Sequence, residues 1–525
     1  DAFTQYFLGH LPMMLNPDAK NVLIIGLGSA STAAAVAGYP VESVEVAEIE
    51  EAVVPATDFF VRQNRGVLKD PRVKVRINDG RNHLLVSGRM YDIIISEPSN
   101  PWMAGVANLF SLEHYEMMRK RLSPSGVVCQ WLHAYSMSPE DLRMIVKTFS
   151  RVFPDVSLWV SNYPDLLLIG RNRPEPVDFH SLDAVFNRPE VKRDFVPFEI
   201  DSTETLFSNF WLGNKDLRFL AKDGRVNSDN HPYLEFSAPR NLYRNTLVEN
   251  YQFLRSFQTE PYPPMEGLTP PEDQNARFHA RLALGFMARR MYAEAQAELK
   301  RAQAIRPEEP EVLQNIGLLF YLQRVPEQAV LFLLKAQELD PKLPLVSYAL
   351  GLIFDEKQQR ERAFLEFARA AELDPENPKY LRAFGDALFE AGQYDAALRA
   401  YVRYLELYGS NFDILNKMTD SVFAVDSVTD QQGMANLIIG FYPNIPSVYE
   451  KIGSGFEKRG HFAQAAAVYA RLIEQLPRDA SGYFLMARLY RKMGKDVEAE
   501  TFLKKALSLN EVFRKNLKLS AALRA

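Results

Sequence analysis

Two patterns of apolar positions divide the chain. From Asn21 to about Arg171, short runs rich in Val, Ile and Leu ("NVLIIGLG", "SVEVAEIE", "VKVRIND", "YDIIISEP", "GVVCQWL", "VSLWVS", "LLLIG") alternate with amphipathic stretches. Apolar runs of strand length separated by helical periodicity predict a largely parallel sheet with crossover helices, ending in an antiparallel pair. This gives a first domain over residues 1–171. Residues 172–267 are richer in Pro, Asn and Phe and carry no clean period. They read as an irregular extension packed on the first domain, with the proline-rich "TEPYPPMEGLTPPED" as a stiff linker.

Beyond the linker a 34-residue register sets in: Pro307, Pro341, Pro375, Pro443 and Pro477 share it, with Gly409 in the intervening slot. Gly317, Gly351, Gly385 and Gly453 keep the same period, as do Ala295, Ala329, Ala363, Ala397, Ala465 and Ala499. Small residues at fixed offsets let two antiparallel helices pack closely before a proline-marked turn. The pattern resembles the tetratricopeptide repeat. It implies an all-α superhelix of seven units over residues 276–510, a tail at 511–525, and a protein or peptide partner. The fifth unit is degenerate, with Thr419 and Gln431 in its Gly and Ala slots.

Composition narrows the function. Lys and Arg number 61 against 66 Asp and Glu, a net charge of −5, and no basic cluster offers nucleic acid a footing. The single cysteine, Cys129, excludes an internal disulfide framework and a cysteine-rich zinc site, and reads as a packed thiol in a reducing, cytoplasmic setting. The uncharged stretch Asn21–Val41 is long enough for a bilayer, but its glycines, proline and hydroxyls read better as strand, loop and helix. The chain is therefore expected to be soluble, with a membrane tether upstream of Asp1 left open.

Candidate chemistry clusters at the carboxyl ends of the predicted strands. In "VLIIGLGSAS", Gly26 and Gly28 follow an apolar run directly, and Glu48 ends the next one, twenty residues after Gly28. Glycine lets a backbone approach a nucleotide, and an acid in that place accepts hydrogen bonds from ribose hydroxyls. Asp79, after the third run, suits an adenine amino group. In "YDIIISEPSNPW" a buried strand stops on Glu97. A carboxylate there can hold an ammonium and take its proton, or it can cap a following helix. Asn100, Trp102 and Gln130 could frame an amine, although Trp102 equally suits packing. His10 and His133 read as packed residues. Asp229, His231, Glu235 and Arg240 lack a metal-ligand spacing, and read as a loop and short strand clamping the crevice.

The stretches "HLPMMLNPDAKNVLIIGLG", "VEVAEIEEAVV", "DPRVKVRINDGRNHLL", "YDIIISEPSNP" and "NLFSLEHYEMMRKRLSPSGVVCQ", and the "FP" of "FSRVFPDV", resemble in order and spacing the spermidine synthase family of aminopropyltransferases. The resemblance implies a class I methyltransferase-like Rossmann fold. It also implies decarboxylated S-adenosylmethionine as co-substrate, transfer of its aminopropyl group to a diamine, release of methylthioadenosine, and no metal. By position, Gly26, Gly28 and Ser29 form the donor loop, Glu48 the ribose acid, Asp79 with Gly80 the adenine contact, and Glu97 the catalytic acid. Gln130 falls on a family glutamine near the site. Three positions depart from the family: Ser29 replaces an acid facing the donor's ammonium, Asn100 a second acid of the catalytic loop, and Thr4 a tyrosine. The family's small N-terminal β-domain would lie before Asp1. Two further readings accompany the aminopropyl one: methyl transfer from intact S-adenosylmethionine, and a catalytically idle nucleoside-binding scaffold.

Overall fold

The computed structural model describes residues 2–266, 272–408, 411–424 and 427–509. Gly409, the linker residues 267–271 and the tail 511–525 lie outside them. The chain forms two compact units, Asp1–Phe332 and Leu333–Ala525.

The first unit is built on a mixed sheet. Its strands are β1 (Asn21–Ile25), β2 (Ser43–Glu48), β3 (Val73–Ile77), β4 (Tyr91–Ser96), β5 (Leu122–His133), β6 (Asp155–Val160) and β7 (Asp165–Arg171). Of three later strands, β8 (Val177–Asp178), β9 (Phe210–Leu212) and β10 (Met265–Glu266), β9 joins the same sheet. The order is β3-β2-β1-β4-β5-β7-β6-β9. Strands β3 to β5 pair in parallel, and the β5–β7, β7–β6 and β6–β9 pairs are antiparallel. The central β1 and β4 are almost wholly buried, which is why they read as continuous apolar runs rather than alternations. The strand order reverses between β1 and β4, so a crevice opens beyond their carboxyl ends.

The aperiodic stretch after β7 is made of short helices, such as Phe179–Phe186, Thr203–Phe207 and Asn214–Leu220, around β9. Where a short strand was expected after Asp229, the chain forms the helix Tyr233–Ser237. Asn227 causes the turn: its amide donates to the carbonyls of Ala107 (3.3 Å) and Phe110 (3.2 Å) and accepts from the Leu234 N–H (3.1 Å), folding the chain back after one bridge at Ser228.

The proline-rich segment is pinned along its described part. Thr259 bonds to Asp216 at 2.7 Å, β10 pairs with β8, and Tyr262 packs edge-on against Phe278. The helix Glu272–Ala288 then lies on Thr203–Phe207, so closely that a side-chain carbon on Gly285 would sit 2.7 Å from the Ser208 hydroxyl. The first repeat helices are thus part of the α/β unit.

In the second unit consecutive helices pack in pairs, from Pro344–Glu356 with Arg360–Leu373 to Ala480–Lys492 with Asp496–Leu509. The glycine period has a steric cause. A Cβ on Gly351, Gly385 or Gly453 would meet the ring of Phe367, Tyr401 or Tyr469 at 2.6, 2.7 or 2.2 Å. Each ring lies sixteen residues on, in the partner helix. The degenerate unit exchanges the volumes: Thr419 fills the glycine slot and the ring slot holds Ala435, both buried. Among the described residues no helix is long and apolar enough to cross a membrane.

Candidate functional site

The crevice is lined by the turns after β1, β2 and β4, with the helix Ala2–Leu15 crossing its floor. After β1 the backbone takes positive φ at Gly26 (97°) and Gly28 (50°). A Cβ on Gly26 would lie 2.5 Å from the Glu97 carbonyl, so this glycine is required by the close approach of the two strand ends. The Ser29 hydroxyl donates to Gln5 at 2.6 Å. Glu48 is buried, and each of its oxygens accepts one backbone N–H, from Leu27 (2.8 Å) and Glu50 (2.9 Å). Each carboxylate oxygen has a second lone pair with which to meet a hydroxyl. Asp79 is the exposed N-cap of the helix Gly80–Val86, where Oδ1 accepts the Asn82 N–H at 2.8 Å. Gly80 faces Ile25, whose Cγ2 lies 2.3 Å from where a Cβ would be, and so lets that helix seat on β1. The residues expected to meet a nucleoside therefore gather around one crevice, several of them also fixing its shape.

Glu97 does not cap a helix. The next helical turn begins at Val106, with Gly105 as its N-cap. Its backbone N–H extends the β1–β4 ladder to Ile25 O (2.9 Å), and its Oε2 accepts the Thr32 hydroxyl at 2.9 Å. Burial pushes this carboxyl up from 4.5 to about 7; hydrogen bonds from Thr32 and Gln5 oppose the rise, and the charge of Asp165 adds to it.

Asp165 was not anticipated. It is buried at the start of β7, opposite His133, and takes the Thr4 hydroxyl at 2.8 Å. Burial raises its carboxyl also, against hydrogen bonds from Thr4 and Trp131. No arginine or lysine is among the charges acting on either acid. Gln5, which bonds to Ser29 and to Glu97, was likewise unforeseen.

The remaining expected residues gather around Tyr135 and the end of β5. Asn100 Oδ1 accepts the Tyr135 hydroxyl at 3.2 Å. Trp102 packs on His133 (centroids 4.6 Å apart) and edge-on to Tyr135 (5.6 Å), and so does serve packing. His133 Nδ1 lies 2.7 Å from the Tyr135 carbonyl. A carbonyl only accepts, so Nδ1 carries the proton. Burial lowers the ring's pKa to about 4 and keeps it neutral, leaving a buried, unpartnered Nε2 acceptor. Gln130 pairs in register with Ser96, and its Oε1 is buried without a partner, as is the Ser96 hydroxyl. Two carboxyls without an arginine or lysine partner, spare neutral acceptors and aromatic rings make a setting that can hold an organic cation.

The other candidates lie apart from this chemistry. His10 bonds to Tyr39 and Asp194, which is also paired with Arg65. Asp229 is held by Arg81, His231 stacks on Tyr233, and Glu235 accepts the Gly105 N–H at 3.1 Å, so this group ties segments together. Among the described residues no three His, Cys, Asp or Glu side chains gather as a metal site. Cys129 is buried, with its thiol pushed up by that burial.

Comparison with known proteins finds relatives for both parts of the chain. Residues 2–170 match the spermine/spermidine synthase domain, and residues 347–413 and 451–511 match the tetratricopeptide repeat. A polyamine aminopropyltransferase of Bacillus mycoides (strain KBAB4) is 25% identical over 196 residues, covering 35% of this chain and 71% of its own. The spermidine synthase of Dictyostelium discoideum is 27% identical over 161 residues, covering 30% of this chain and 56% of its own. Among solved structures, a spermidine synthase from Thermotoga maritima aligns with 42% of this chain and 75% of its own at 23% identity, with a TM-score of 0.34. The chain thus joins a spermidine synthase-like domain to tetratricopeptide repeats.

Proposed function

We propose that the α/β unit transfers the aminopropyl group of decarboxylated S-adenosylmethionine to one amine of a diamine, and that the helical repeats bind a protein partner. The observation that carries this reading is the pair Glu97, half-buried, and Asp165, buried: two raised carboxyls with no arginine or lysine acting on them, beside a glycine turn and the ribose-type acid Glu48. An ammonium cannot attack carbon until it loses a proton. A carboxyl poised near 7 can hold the ammonium and accept that proton. The amine nitrogen then bonds to the carbon next to the sulfonium, the carbon–sulfur bond breaks towards sulfur, and methylthioadenosine leaves neutral. Asp165 holds the second ammonium of the diamine and so stands in for the acid missing at Asn100. It bonds to Thr4, the residue that stands at the position resembling the family tyrosine.

Ser29 supports a second reading. With no acid there, the donor tail meets only a hydroxyl already bonded to Gln5, and the carboxylate of intact S-adenosylmethionine is not repelled. Calorimetry with methylthioadenosine, S-adenosylmethionine and its decarboxylated form decides between them. The aminopropyl reading predicts saturable binding of methylthioadenosine and a preference for the decarboxylated donor. A preference for the intact donor would favour methyl transfer, and binding of none would sink both transfer readings.

A further inference from the structure

The first unit holds a cavity of about 950 Å³ between the β6–β7 turn, the extension and the first repeat helix. Its wall is aromatic at Tyr163, Phe198, Trp211 and Tyr251, and Arg289 stands among them. The Arg289 guanidinium donates from Nη1 to the Val160 carbonyl at 3.2 Å, and its buried Nε has no partner among the described residues. Among the described residues no carboxylate pairs with it. Glu199 also lines the cavity but is not among the charges acting on Arg289. Of the other two arginines in the wall, Arg255 pairs with Glu294, and Arg290 is exposed and adds a second positive charge at the rim.

Burial lowers the Arg289 guanidinium to about 10, still well above neutrality, so a positive charge sits uncompensated in the wall. Arg289 is half-buried with its Nε shut off from solvent, and a charge that loses water without gaining a partner is costly. Two more polar hydrogens go unused at the same wall, since the Trp211 indole and the Tyr251 hydroxyl are buried without acceptors. Cavities that enclose small molecules combine an apolar lining with a few convergent polar groups, and this one has that make-up. We propose that the cavity binds a small organic anion, a single carboxylate on an apolar or aromatic body, with its charge against Arg289 and the Trp211 and Tyr251 hydrogens as further donors. The site adjoins the crevice: Ser161, in the same wall, donates to Thr4 at 3.2 Å, and Thr4 holds Asp165.

Calorimetry on the full chain tests this with benzoate, 3-phenylpropionate and 4-phenylbutyrate, their primary amides, and inorganic phosphate. At least one carboxylate should bind saturably and about tenfold or more tighter than its amide, the usual strength of a hydrogen bond to a charged group. Arg289→Met should erase that preference. Trp211→Phe, which keeps the aromatic wall and removes one donor, should weaken the carboxylate about threefold to tenfold. Should Arg289→Met fail to fold, the acid-against-amide comparison on the natural chain and the Trp211→Phe variant still decide. Equal binding of acid and amide, no binding by any carboxylate, or phosphate binding as tightly as the aryl carboxylates would each overturn the proposal.

Discussion

Replacing Glu97 by glutamine keeps the side chain's shape and an acceptor for Thr32 while removing its ionisation. In the folded chain this carboxyl sits near 7 rather than 4.5 because burial strips its water, with Thr32 and Gln5 opposing and Asp165 adding. A group whose folded pKa is raised contributes its full stability below the unfolded value. As pH climbs from 4.5 to 7 the unfolded chain releases the proton that the folded chain keeps, so stability falls, levelling off above about pH 8. At about 1.4 kcal/mol per pKa unit, the interval caps the loss near 3.4 kcal/mol, and residual solvent contact brings it to roughly 2 kcal/mol between pH 5 and 8. Urea unfolding of both proteins at several pH values, taken as a difference, isolates this group from the other titrating residues. The natural chain should lose about 2 kcal/mol relative to Glu97→Gln across that range. Parallel curves would mean that Glu97 is an ordinary solvated acid and that the base assignment lacks its physical footing. In turnover the natural chain's kcat/KM should rise with pH through about 7, and the variant should be at least about 100-fold slower without that limb.

Asp165→Asn should raise KM for a diamine about tenfold or more while sparing a monoamine. It should also move the kcat/KM limb to lower pH, because the Asp165 charge helps to raise Glu97. Gly453→Ala places a methyl 2.2 Å from the Tyr469 ring and should cost about 1–3 kcal/mol in urea unfolding; adding Tyr469→Ala should recover part of that, as Thr419 with Ala435 does naturally. A chain ending at Phe332 should fold and bind methylthioadenosine as the whole protein does. One ending at Glu266 loses the helix that covers Thr203–Phe207 and should melt at a lower temperature in calorimetry.

The central sheet and the repeats were legible because both rest on strong periods: buried parallel strands leave unbroken apolar runs, and a glycine against a ring recurs at fixed spacing. The extension was not, since helices of five to nine residues, such as Thr203–Phe207 and Leu247–Arg255, are too short to show a helical period. Its strand β9 was hidden for the same reason. Within the site, Gly26, Glu48 and Glu97 stand where turns and strand ends announce them. Asp165 gave a fainter form of the same signal, a charge at the edge of an apolar run, but at the start of a strand. Only the antiparallel pairing of β7 with β5 carries that start to the crevice side of the sheet. Gln5 sits in a helix with no motif around it and could be found only from its bonds to Ser29 and Glu97.

The most direct test of the account is product formation. The full chain, decarboxylated S-adenosylmethionine and putrescine are incubated together, and methylthioadenosine is quantified by mass spectrometry. The account predicts that methylthioadenosine and an aminopropylated diamine appear in equal amounts, only when both substrates are present, and that Glu97→Gln abolishes both. No methylthioadenosine across a panel of diamines, or release that neither the amine nor Glu97→Gln affects, would contradict it.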